Sequence, residues 1–112
     1  MTGSGEQAVA EYLTRAGFRL LDRNWRCPDG AIVIVAADRD VLVACEVTTR
    51  SGDRHDTPLG PVGQTEQARL RHLAARWATT HDMRPSQIRV DVIGLTTEPS
   101  GGYTIEHIRG TA

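Results

Sequence analysis

Apolar residues recur along this chain with two periods, and the switch between them predicts its elements. Val9, Leu13 and Ala16 recur at helical spacing, with Tyr12 flanking that face. Ser4-Gly-Glu-Gln7 fits a capping box with Ser4 as N-cap and Gln7 reaching back, and Gly17 is placed to end the helix in a left-handed conformation. Phe18 to Arg26 reads as a strand with imperfect alternation, closed by the turn signature Pro28-Asp29-Gly30. Two near-continuous apolar runs follow, Ala31–Val35 and Val41–Cys45, a pattern expected of strands buried on both faces. The short turn at Asp38-Arg39-Asp40 makes them antiparallel neighbours, and the second runs on through Glu46-Val47-Thr48-Thr49-Arg50. Ser51 to Gly63, rich in Gly, Pro, Asp and His, reads as a loop. Leu70, Leu73 and Trp77, with Ala74 and Ala78 alongside, return to helical spacing, and Pro85 closes the connection after them. Ile88–Ile93 is a strand, Glu98–Gly102 a turn and Tyr103–Ile108 a short last strand. The predicted order is αβββαββ: an α/β fold with a mixed central sheet of about five strands flanked by two helices, one domain over residues 1–112.

Composition adds limits. The chain has 112 residues, 39% hydrophobic and 24% charged, ordinary values for a globular protein. Net charge is −1, so no overall basic field advertises nucleic acid or an anionic membrane. All 13 basic residues are Arg, so no side chain supplies an ammonium group. Cys27, beside a turn, and Cys45, in a central strand, read as reduced thiols. No stretch is long and apolar enough to span a membrane and no apolar segment opens the chain, from which we expect a cytoplasmic protein with no membrane partner.

One residue in this pattern asks for chemistry. Glu46 ends an otherwise apolar strand, and a carboxylate there is costly to bury unless it is paired, hydrogen-bonded or metal-bound. Glu6 shares a helical face with Val9 and Leu13, and Glu66 leads the face of Leu70, Leu73 and Trp77. If Glu6, Glu46 and Glu66 converge, they form an unorthodox metal site or a carboxylate cluster with raised pKa values. The plainer expectation makes Glu6 a first-turn acid favoured by the helix dipole and Glu66 a solvated one. Asp91, on the same strand face as Arg89, is expected to pair with it as a structural group. His55-Asp56 and His81-Asp82 fall in loops and receive no role.

Five segments in order resemble one family. Gly5-Glu6, Ala10, Tyr12-Leu13 and Gly17 match its opening helix, and Arg23-Asn24-Trp25-Arg26 its Asn-Trp-Arg signature. Gly30-Ala-Ile-Val-Ile-Val35 stands for its Gly-Glu-Ile-Asp-Leu-Ile segment, Glu46-Val-Thr-Thr-Arg50 for Glu-Val-Lys-x-Arg, and Arg89-Val-Asp-Val92 for Arg-Phe-Asp-Val. The chain resembles the bacterial YraN family. That resemblance implies a PD-(D/E)xK restriction-endonuclease-like core, similar to Holliday-junction resolvases.

In enzymes of that superfamily an Asp and the Glu of the Glu-x-Lys strand hold a divalent metal, and the Lys assists the attacking water. Here the Asp position is Val33, the Lys position Thr48, the preceding Glu position Ala31, and a further Lys position on the second helix is Glu66. Only Glu46 remains of the triad, with Glu6 as its helical companion. The resemblance therefore implies a nuclease-like protein with no intact catalytic set and no cofactor, magnesium or manganese entering only if Glu46 with Glu6 forms an endonuclease site. Arg15, Arg19, Arg23 and Arg26 cluster in sequence, as do Arg69, Arg71 and Arg76, with Arg50 and Arg54 after the remnant motif. Arg23, Arg26, Arg50, Arg54 and Arg69 are candidates for weak, sequence-independent contact with DNA or RNA phosphates. Two other expectations stand beside this one: an interaction scaffold with no nucleic-acid role, and a homodimer.

Overall fold

A computed structural model describes residues 4–51, 60 and 62–110. Its elements follow the expected order: α1 (Ser4–Arg15), β1 (Arg19–Cys27), β2 (Gly30–Asp38), β3 (Val41–Ser51), α2 (Gln64–Thr80), β4 (Gln87–Thr97) and β5 (Tyr103–Ile108). The strands form one sheet in chain order, β1 to β5. Every pair is antiparallel except β3 and β4, which α2 connects in parallel. Most of the loop expected from Ser51 to Gly63, with Arg54, His55 and Asp56, lies outside the described residues.

Each face of the sheet carries one helix and one core. Under α2, Leu70, Leu73, Ala74 and Trp77 pack on Ile32, Val35, Leu42 and Val90. Under α1, Val9, Leu13 and Phe18 pack on Ile34, Val43, Cys45 and Ile93. The central strands are buried from both sides, which is why β2 and β3 read as apolar runs rather than alternating ones.

The local expectations fare unevenly. Ala16 is exposed, because α1 ends at Arg15 and helical spacing stops with it; Ala10 takes its place on the buried face. Gly17 does turn left-handed, at φ +94°. The expected capping box rests on Ser4, whose side chain lies outside the described residues; the Gln7 amide nitrogen bonds Glu11 and its oxygen accepts from Arg23. The uneven pattern of β1 has a backbone cause. Its register slips between Leu20 and Asp22, and between the pairs Arg23↔Ile34 and Trp25↔Ile32 Asn24 turns left-handed at φ +53°. Asn tolerates that region better than most side chains. Beside Asn24 the alternation of β2 also lapses: Val33 and Ile34 both pack with the core under α1.

Candidate functional site

β2 and β3 part company at the motif. Their ladder runs from the turn pair Asp38↔Val41 to Ile34↔Cys45 and ends there. Beyond it β3 continues on β4, from Glu46↔Val92 to Ser51↔Thr97, while the first residues of β2 stay on β1. Glu46 is thus the first side chain of the fork, on the face covered by α2.

The first turns of α2 supply its neighbours, Glu66 and Arg69. Arg69 holds Glu66 in a two-pronged bond, Nε to Oε1 and Nη2 to Oε2, both 2.7 Å. That grip requires a bare backbone opposite: a Cβ on Gly30 would stand 2.5 Å from Arg69 Nη1 and 3.2 Å from Leu73 Cδ1. Burial pushes the Glu46 carboxyl up, the negative charge of Glu66 pushes it further, and Arg69 pulls it partly back. Glu66 shifts the other way, held down by the hydrogen bond from Arg69. The two neighbouring carboxyls therefore shift in opposite directions, Glu46 up and Glu66 down.

The other expected positions scatter. Val33 is half-buried, Thr48 points to solvent and Ala31 is exposed. Glu6 is buried, but it does not join Glu46: it accepts from Asn24 Nδ2 at 3.2 and 3.3 Å and lies 3.9 Å from Arg23. Of the proposed convergence, Glu66 arrives and Glu6 goes to the kink in β1. Among the described residues no three His, Cys, Asp or Glu side chains gather as a metal-binding group. The candidate arginines are mostly engaged by carboxylates, Arg23 with Glu6, Arg50 with Glu106 at 2.8 Å and Arg69 with Glu66. Arg26 is exposed, and Arg54 lies outside the described residues.

A second polar centre lies on the opposite face, under α1. Asp91 pairs with Arg89 as expected, Nε to Oδ1 at 2.8 Å and Nη2 to Oδ2 at 3.0 Å. Sequence reasoning missed the rest. His107 Nε2 donates to Asp91 at 2.8 Å, its Nδ1 lies 2.8 Å from the Tyr12 hydroxyl, and the Gly110 amide donates to Asp91 at 3.0 Å. With Nε2 committed to a carboxylate, Nδ1 of a neutral ring accepts from Tyr12. Arg89 also reaches Asp38 at 3.1 Å, which Arg109 meets at 3.3 Å. Burial alone would raise the Asp91 carboxyl; hydrogen bonds from His107, Arg89 and Gly110 overcome it and hold the pKa at about 2. The signal for His107 was its place in β5, two residues from Ile105 and on the same face. Burial also pushes the Cys45 thiol far up, which makes it a core residue rather than a nucleophile.

Relatives similar in sequence span nearly the whole chain. A UPF0102 protein of Streptomyces coelicolor is 46% identical over 96% of this chain and 85% of its own length. Others from Nocardioides (43%, covering 95% of this chain and 86% of the relative) and Frankia alni (42%, 95% and 88%) are alike. The profile of "Uncharacterised protein family UPF0102" matches residues 5–95. The chain belongs to that family, the one whose signatures the sequence resembled under the name YraN.

Proposed function

We propose that this protein is a nuclease-fold binding protein that contacts nucleic acid without cutting it. The observation that carries the reading is the company of Glu46: one further carboxylate, Glu66, and a guanidinium, Arg69, already clamped on that carboxylate. Magnesium prefers oxygen ligands in near-octahedral array, and a hydrolytic site adds a group that activates water. At this fork the second strand offers Val33, packed into the α1 core, and the Lys position offers Thr48, in solvent. The donor set does not fit the metal, and Arg69 occupies the charge of Glu66 that would recruit it.

Support for binding is electrostatic and modest. Arg26 is exposed near the fork, and the Arg69–Glu66 pair is about 41%/40% exposed, which leaves it easy to trade for a phosphate. Exposed ion pairs contribute about 0–1 kcal/mol, so a phosphate competes with them only in a strongly charged partner at low salt. Binding is therefore weak, salt-dependent and indifferent to sequence.

Two measurements test the proposal. Incubation of duplex, single-stranded and four-way-junction DNA, and of RNA, with magnesium or manganese should leave them intact. Cleavage that Glu46→Gln abolishes would overturn the catalytic silence. Gel shifts at low salt should show a complex that fades as salt rises and that weakens on Arg26→Ala combined with Arg69→Ala; no complex on any of these substrates favours the scaffold instead.

A further inference from the structure

Away from the fork, at the turn end of the sheet, Arg19, Arg39 and Arg84 surround a cavity of about 300 Å³. Of the described arginines, only Arg15, Arg19, Arg26, Arg39 and Arg84 make no side-chain hydrogen bond or ion pair, and three of those five rim this one cavity. Asp40 is the single carboxylate in its wall, which leaves a surplus of two positive charges. Its floor is apolar, made of Leu42, Met83 and Pro85. From this geometry we propose that the cavity binds a small organic phosphate, the three guanidinium groups taking the phosphate and the floor its flat or apolar body.

Two features set this apart from three solvated arginines. Arg39 stands in a two-residue hairpin turn at φ +59°, between the paired Asp38 and Val41. That left-handed conformation is unfavourable for a side chain other than glycine, and glycine would adopt it freely. An arginine kept there has a use for its side chain rather than for its backbone. The rim is also tied across the chain: the Ser86 amide donates to the Asp40 carbonyl at 3.1 Å, fixing the turn that bears Arg39 against the segment that bears Arg84. Guanidinium forks match phosphate oxygens two at a time, and pockets of this size are at the small end of those that hold compact ligands. The inference is independent of the reading of Glu46, which lies further along β3 at the fork.

Titration of isotope-labelled full chain with adenosine monophosphate, adenosine and inorganic phosphate, followed by NMR, tests it. Adenosine monophosphate should shift the amides of Arg39, Asp40, Met83 and Arg84 and saturate in the millimolar range or tighter. Adenosine should not bind, and inorganic phosphate should bind at least about tenfold more weakly, for want of the floor contact. Arg39→Gly, which relieves the turn, should keep or raise the melting temperature while lowering affinity about tenfold. Arg15→Ala should change neither. No shifts at these residues, equal affinity in Arg39→Gly, or phosphate as tight as the nucleotide each overturns the proposal. So does a short oligonucleotide lacking a terminal phosphate that shifts the same amides more tightly than the nucleotide.

Discussion

Glu46 and Asp91 sit one register step apart on neighbouring strands, since Cys45 pairs with Asp91 and Glu46 with Val92. They face opposite sides of the sheet, and their surroundings push them in opposite directions. Asp91 is fully buried yet receives four hydrogen bonds, from two Arg89 nitrogens, His107 and Gly110. Glu46 is only half-buried, and the charge of another acid, Glu66, weighs on it more than the guanidinium of Arg69 does. The number of donors and the sign of the neighbouring charges, not depth, decide which way each carboxyl shifts. One face holds an acid as a structural pin, the other holds one beside a second acid.

The contrast is open to direct attack. The largest effect is expected from Asp91→Asn, which leaves Arg89 buried against a neutral amide. Loss of one member of such a pair costs about 3–5 kcal/mol, read from chemical denaturation. A loss below about 1 kcal/mol would mean that Asp91 is not the pin described here. Acid titration of the native protein comes next. The Asp91 pKa is depressed from 3.8 to about 2, so its stabilisation is complete above the unfolded value and is lost as pH falls from 3.8 through 2. That window should remove about 2 kcal/mol, and the same slope should be missing in Asp91→Asn.

Val33→Asp restores the acid of the resembled motif but places it against the α1 core, where we expect a loss of about 1–3 kcal/mol. Thr48→Lys, in solvent, should stay within about 0.5 kcal/mol of the parent, so a double variant destabilised beyond the single Asp change would show that the two positions communicate. Glu46→Gln should act in the reverse sense to Asp91→Asn. A raised folded-state pKa means that Glu46 loses stabilisation as pH rises above 4.5, so the amide should lift the melting temperature near neutrality, by less than about 4 °C, and not below pH 4. A fall instead would make Glu46 a paired acid like Asp91.

The order of elements was legible because β2, β3 and α2 bury continuous or strictly periodic apolar sets. β4 outran its expected end at Ile93 by four residues: Gly94 and Thr96 carry little strand signal, and pairing with both β3 and β5 holds them. The site was half legible. A helical face fixes which side of a helix an acid occupies, yet Glu6 is buried where a plain first-turn acid was expected, while Glu66 stays about 40% exposed, as the plainer expectation had it. The face does not fix which strand lies opposite, and α1 sets Glu6 over the β1 kink while α2 sets Glu66 over Glu46. The face of His107 could be read from β5, but its partners could not, because Tyr12 and Asp91 come from distant parts of the chain.

The slip at Leu21 and the left-handed Asn24 reach further than local geometry, because β1 is a free margin of the sheet. A straight outer strand with open backbone groups is a template on which other chains can stack. Here an incoming chain meets a broken register studded with exposed Arg19, Arg23 and Arg26, so like copies repel before their backbones can join. The irregularity that blurred β1 in the sequence is thus a guard against runaway self-association along that margin.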